Sequence, residues 1–311
     1  MKPAAGSDFE RRFLMYKDTS VIVGCMRLAD KTTSEMARFI HTAVDNGMTW
    51  FDHADIYGDG RSEELFGTAL AADSSLNRED LIIQSKCGIC RGYYDLSKEH
   101  ILSAVDGILT RLKTDYLDIL LLHRPDALVE PEEVASAFDE LERSGKVRSF
   151  GVSNHKPAQI ELLRKYVKQE ILYNQLQFSL PVSNMIANGM EVNMETPGSI
   201  DHDGSVLDYC RINDITIQAW SPFQMPAWKG VFIGAPEYEE LNHVLNELAE
   251  VYDTTVTALA AAWILRHPAG IQIITGTASE DRLCEIKSAE NIRLSRKDWY
   301  RLYLAAGHPL P

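Results

Sequence analysis

Asp52, Tyr57, Lys86 and His123 bring together a carboxylate, a phenol, an ammonium and an imidazole, and the chemistry such a set can do is proton transfer to an oxygen gaining negative charge. A phenol with a reference pKa of about 10 is too weak an acid for that work unless a cation lowers it. Lys86 beside Tyr57 would supply the cation, and Asp52 would keep Lys86 charged and in place. His123 would orient the reacting oxygen or share its proton. Each has an ordinary explanation when taken singly. Tyr57 could be a loop aromatic, Lys86 a lysine whose stem lies along the surface, His123 a satisfied core histidine and Asp52 a loop cap. Two other sets compete. His53-Ala54-Asp55 with His123 could belong to a metal-dependent barrel hydrolase, although such enzymes usually carry an H-x-H pair on the first strand, where Cys25 and Met26 stand. Cys87-Gly88-Ile89-Cys90 could be a redox dithiol or half a zinc site, but no second C-x-x-C pair completes it.

These residues matter only if the fold brings them together. Short β-branched and Leu/Ile-rich runs at 21–24, 48–52, 81–86, 117–123, 147–153, 171–175, 215–220 and 271–275 read as eight strands. Between them, apolar residues recur every three or four positions over 34–46, 62–71, 97–112, 131–144, 157–167, 205–213, 238–251 with 256–266, and 279–289, which predicts helices. Ser97 before Lys98 and Glu99, and Pro131 before two glutamates, are helix starts. Apolar runs such as Ile119 to Leu122 suit a parallel sheet covered by helices. The expected fold is therefore α/β, a (β/α)8 TIM barrel forming one domain over residues 1–311. A further helix at 295–306 and a long irregular loop at 181–204, after strand six, complete it. A doubly wound sheet is disfavoured, because Gly58-Asp59-Gly60 runs on to Glu63 where a dinucleotide fingerprint needs its third glycine.

In such a barrel reactive groups stand at the C-terminal strand ends. Asp52 to Tyr57, Lys86, His123, Gly151-Val152-Ser153-Asn154, Asn174-Gln175 and Trp220-Ser221-Pro222 all fall there. With these motifs the sequence resembles the aldo-keto reductase superfamily over nearly its whole length. The stretches His53-Ala54-Asp55-Ile56-Tyr57-Gly58 and Ser85-Lys86-Cys87-Gly88-Ile89, with the tail from Trp299, are most similar to its bacterial YdhF-like oxidoreductase branch. The resemblance implies a catalytic tetrad of Asp52, Tyr57, Lys86 and His123. It also implies NADPH-dependent reduction of an aldehyde or ketone, with NADH admitted as cofactor and no metal. The hydride must come from such a cofactor, since no side chain supplies one.

The resemblance places the nicotinamide amide on Ser153, Asn154 and Gln175. Trp220 stands where a tyrosine commonly stacks on the ring, followed by Ser221, Pro222 and Phe223, with Gly24, Cys25 and Met26 contributing after the first strand. For the phosphates, Gly276 and Thr277 lead into a helix N-terminus, which favours an anion. Arg282, one turn inside, can reach a phosphate on the adenosine ribose. Glu285 also fits the family pattern. Gly276 lacks the Lys often present there, and Ile286 stands in place of an adenine-binding Asn, so NADPH preference rests mainly on Arg282. Met26, Arg27, Tyr93, Tyr94, Arg124 and the stretch 224–232 are expected to line the substrate pocket, with 181–204 shaping its entrance. A nicotinamide-binding redox sensor or regulatory subunit is the non-enzymatic alternative.

Composition bounds the partners. The 311 residues are 45% hydrophobic, too apolar for a disordered chain, and carry a formal net charge of −14. That charge repels nucleic acid, and no Lys/Arg-rich run interleaved with aromatics reverses it. No apolar run approaches the roughly 20 residues of a membrane span, and residues 1–12 are polar, without the apolar core of a leader. Five irregularly spaced cysteines fit a reducing compartment. A cytoplasmic monomer or weak oligomer acting on a small carbonyl compound is expected, with neither membrane nor nucleic acid as partner.

Overall fold

The computed structural model describes residues 19–310, so the polar segment 1–12 lies outside it. Eight parallel strands close into a barrel: β1 (Val21–Gly24), β2 (Trp50–Asp52), β3 (Ile82–Cys87), β4 (Leu117–Leu122), β5 (Val147–Ser153), β6 (Ile171–Gln177), β7 (Thr216–Trp220) and β8 (Gln272–Thr275). Each pairs with the next in chain order, and β8 closes on β1 through Val21 opposite Ile273. All eight predicted strands are present. Their ends differ by up to two residues, the largest changes being the second strand, which starts at Trp50 rather than Met48, and the sixth, which runs on to Gln177 rather than ending at Gln175.

Side chains alternate across each strand, and the alternation sorts them into two apolar clusters. Ile22, Trp50, Ile82, Ile119, Leu121 and Ile274 fill the barrel interior with Leu172 and Tyr173. Val21, Val23, Phe51, Ile83, Leu120, Leu122 and Ile273 face the surrounding helices. The same parity carries forward to the chemistry. Asp52, two residues after Trp50, and Lys86, four after Ile82, continue the inward rows. Cys25 continues the row of Val21 and Val23, which faces the helices.

Helices predicted from periodicity form where their start signals lie. Thr32 caps α1 (Thr33–Asp45) by accepting from the Glu35 N–H at 3.3 Å, and Glu35 accepts in return from the Thr32 N–H at 2.8 Å, a capping box. Ser97 accepts from the His100 N–H at 3.3 Å to start α3 (Lys98–Leu112). Between them, α2 (Arg61–Ala72) lies so close to α3 that a Cβ at Gly67 would sit 2.4 Å from the Arg111 carbonyl oxygen. Gly67→Ala should therefore cost about 1–3 kcal/mol through forced separation of the two helices. A urea midpoint equal to that of the parent would contradict this.

One helix follows each of β4, β5 and β6: α4 (Pro131–Arg143), α5 (Pro157–Arg164) and α6 (Asn184–Met190). The last lies inside the stretch 181–204 expected to be irregular, and Pro197–Ser199 adds a 3-10 turn. Met185, Ile186 and Ala187 are buried, so tertiary burial forms a helix without a side-chain cap on Ser183. That segment does not shape the entrance to the central cavity, since none of its residues lines it. It turns toward the C-terminal end of the chain, where Ser183 Oγ lies 2.7 Å from His308 Nε2.

The chain continues through α7 (Val206–Ile212), α8 (Glu239–Val251), α9 (Val256–Leu265) and α10 (Glu280–Ser288) to the extra helix α11 (Arg296–Ala305). α11 is fastened by Trp299 stacked on Trp263 at 4.8 Å and 8°, each indole N–H donating to the other's backbone carbonyl at 3.0 and 2.9 Å. Among the described residues no single helix is long and apolar enough to cross a membrane.

Candidate active site

The C-terminal ends of the strands surround a cavity of about 500 Å³. At its floor lies a buried ion pair, in which Lys86 Nζ donates to Asp52 Oδ2 at 2.8 Å. The same ammonium donates to the His53 carbonyl at 2.7 Å and to the Tyr57 hydroxyl at 3.1 Å. Lys86 is fully buried, so only the Tyr57 and Asp52 ends of this chain reach the cavity wall. Tyr57 stands on the loop after β2, with its ring edge-on to His123 at 6.1 Å between centroids.

The electrostatics of the four follow from burial. Burial pushes the Tyr57 phenol upward, and although Lys86 pulls it down, the net shift is up. The expected lowering by Lys86 is present but does not dominate, because the hydroxyl loses more hydration than one ammonium restores. Burial also opposes the Lys86 charge, but Asp52 and Tyr57 outweigh it and raise its pKa. His123 is held well below the imidazole range by burial, then by the charges of Lys86 and Arg124, and is neutral.

Beneath Asp52 lies a layer of amides from which the sequence reading named only Gln175, for a different role, and missed Gln84, Gln218 and Gln272. Gln84 Nε2 donates to Asp52 Oδ1 at 2.6 Å, and Gln175 Nε2 donates to the same oxygen at 3.1 Å. Gln84 and Gln218 exchange bonds at 3.0 and 3.2 Å, and Gln218 Nε2 reaches Gln272 Oε1 at 3.1 Å. Strand register sets Asp52 beside Gln84, Gln175 beside Gln218 and Gln218 beside Gln272, while the Gln84–Gln218 and Gln175–Asp52 bonds cross the barrel interior between unpaired strands. Parity could have found it: Gln84 lies two residues before Lys86 and so on the same face.

The residues assigned to a nicotinamide amide converge on one wall. Ser153 Oγ donates to the Gln175 carbonyl at 2.9 Å, and Asn154 Nδ2 donates to Ser153 Oγ at 2.8 Å. Asn154 takes a left-handed φ of 59°, which Asn tolerates, and this turns its amide toward β7. There Trp220 Nε1 donates to Asn154 Oδ1 at 3.1 Å. Trp220 also stacks on Trp228, from the loop after β7, at 5.3 Å.

Along the opposite rim, Gly24, Met26, Gly276, Thr277 and Arg282 line the same cavity, as do Ser221, Pro222 and Phe223. A side chain at Gly276 would meet nothing within 4 Å, so the missing Lys removes a charge and leaves room. Arg282 is exposed and enters no ion pair among the described residues, whereas Glu280 beside it is taken by Arg38 at 2.8 Å. These groups fit a phosphorylated nucleotide: a free guanidinium, and the α10 N-terminus capped by Ser279, whose Oγ accepts from the Arg282 N–H at 3.3 Å.

Several assigned residues lie elsewhere. Cys25 is buried among the outer cluster, as its strand parity requires, and does not line the cavity. Glu285 is half-buried on α10 and does not line the cavity. Tyr93 and Tyr94 are exposed on a two-stranded ribbon with Ile89 and Cys90, and Ile89 lines the cavity in their place. Cys87 and Cys90 are free thiols, with Cys87 facing the outer core. His53 packs against Phe66 at 4.6 Å, fully buried and held down to about 3 by burial and Lys86, so it does not join Asp55 and His123 around a common point.

Residues 20–303 match the Aldo/keto reductase family. The chain belongs to that family. It is thus an NAD(P)H-dependent oxidoreductase of the aldo-keto reductase type. Among its relatives, an uncharacterized oxidoreductase of Bacillus subtilis, YcsN, is 36% identical over 94% of this chain and 95% of its own. A 6-dehydroglucose reductase of Novosphingobium aromaticivorans is 34% identical over 93% and 92%. The Escherichia coli oxidoreductase YdhF is 33% identical over 93% and 94%, in keeping with the branch that the sequence motifs suggested. For this aldo-keto reductase, carbonyl reduction in general is established by kinship.

Proposed function

We propose that the chain, as one barrel domain, reduces an aldehyde or ketone to an alcohol with NADPH, and that Tyr57 is the proton donor. The observation that carries this reading is the contact of Lys86 Nζ with the Tyr57 hydroxyl at 3.1 Å, directly above its pair with Asp52. Bound NADPH supplies the hydride that the carbonyl carbon accepts. As the carbonyl oxygen gains charge it takes the Tyr57 hydroxyl proton, and Lys86 stabilises the phenolate left behind. Asp52, fixed by Gln84 and Gln175, keeps Lys86 aimed at that hydroxyl. Neutral His123 donates a hydrogen bond that orients the carbonyl oxygen. Ser153, Asn154 and Gln175 hold the carboxamide, and Trp220 covers the ring. NADPH oxidation measured with a panel of reactive aldehydes tests the proposal, and absence of turnover despite NADPH binding would leave a sensor role in its place.

NADPH preference over NADH rests on Arg282. Arg282→Ala should weaken NADPH by about 10- to 100-fold, the range for a charge-assisted bond to phosphate, and NADH by far less. Fluorescence titration with both cofactors reads this, and an equal loss for the two would refute the assignment.

A further inference from the structure

A chain of formal charge −14 has built a cavity whose wall carries three arginines and a single acid. That acid, Asp52, is already neutralised by Lys86. Two of the arginines lie along the β8 rim: Arg282 on α10, and Arg27, whose Nη1 donates to the Gly276 carbonyl at 3.5 Å. The third is different. Arg124 directly follows His123, is half-buried, and has no hydrogen bond or ion pair among the described residues.

The nearest acid in sequence does not serve it. Asp126 accepts from the Leu96 N–H at 3.1 Å and from the Leu128 N–H at 2.8 Å, so both its oxygens are committed to backbone. Arg124 instead faces the Trp220 ring, 5.9 Å from its centroid. That contact sets the guanidinium near the indole but leaves its N–H donors without a protein partner among the described residues. A partly dehydrated guanidinium with unmatched donors, beside the imidazole that meets the carbonyl, is a receptor for an anion that arrives with the substrate.

We propose that Arg124 selects carbonyl substrates bearing an oxyanion, a carboxylate or a phosphate, away from the reacting carbon. The proposal rests on the reductase reading and names its substrate class. With the oxyanion paired to Arg124, the carbonyl oxygen is directed to Tyr57 and His123. Arg27 and Arg282 remain for the cofactor's phosphates on the other rim.

The test compares matched pairs of aldehydes with NADPH: 4-oxobutanoate against its methyl ester, and glyceraldehyde 3-phosphate against glyceraldehyde. In the wild type, kcat/KM for at least one charged member should exceed that of its neutral partner by about 10- to 100-fold, mainly through KM. An advantage for either pair upholds the proposal and names the oxyanion. In Arg124→Gln the ratio should fall to within about threefold of one, and Arg124→Lys should keep part of it. The proposal is overturned if wild type reduces the neutral members as well as the charged ones, or if the preference survives in Arg124→Gln. If the wild type reduces no carbonyl at all, the reductase reading fails with it, a result distinct from measurable turnover without preference.

Discussion

Tyr57→Phe should lower kcat/KM for every reactive aldehyde by about a hundred- to ten-thousand-fold, the range for losing a positioned proton donor. Phe keeps the ring and its edge-on contact with His123, and removes only the hydroxyl that Lys86 meets at 3.1 Å. NADPH binding, followed by fluorescence, should persist. The pH profile of the wild type carries a second signature. Because burial raises the phenol pKa, the donor stays protonated through neutral pH, and reduction should decline only on the alkaline side, beyond the ordinary phenol range. Turnover by Tyr57→Phe within a few-fold of the parent would remove Tyr57 from its assigned role.

Lys86→Met should damage both activity and stability. It leaves the Asp52 carboxylate buried with only the amides of Gln84 and Gln175, at 2.6 and 3.1 Å. Breaking one side of a buried pair costs about 3–5 kcal/mol, whereas replacing both partners often costs far less. Adding Asp52→Asn to Lys86→Met should therefore restore much of the urea midpoint while leaving turnover abolished. The Lys86 pKa is raised on folding, so the pair's contribution is complete below the unfolded value of about 10.4 and is lost as pH climbs through the folded one. If Lys86→Met unfolds at the parental midpoint, the pair does not carry the stability assigned to it.

How much of this was legible in the sequence depends on which contacts are local. Strand positions followed from apolar runs, and because side chains alternate, Trp50 fixed the direction of Asp52 as Ile82 fixed that of Lys86. The same rule, applied backward from Cys25 to Val23 and Val21, would have kept it off the cavity wall. Other features depend on distant partners. The helix Asn184–Met190 forms because Met185 and Ile186 find burial, and the ribbon of Ile89 and Tyr94 exists only through cross-strand pairing. The sign of the Tyr57 shift was hidden too, because it is set by how completely the surrounding loops exclude water.

The amide layer beneath Asp52 also bears on assembly of the barrel. Purely apolar strands can slide past one another at little cost, but Gln84, Gln218 and Gln272 bond only when three strands meet in one alignment. Sliding any of them by one residue would turn its amide toward the helices and strand a buried donor, a cost of about 1–3 kcal/mol at each place. The layer thus works as a combination lock on strand alignment, and the alignment that opens it is the one that sets Asp52 beneath Lys86.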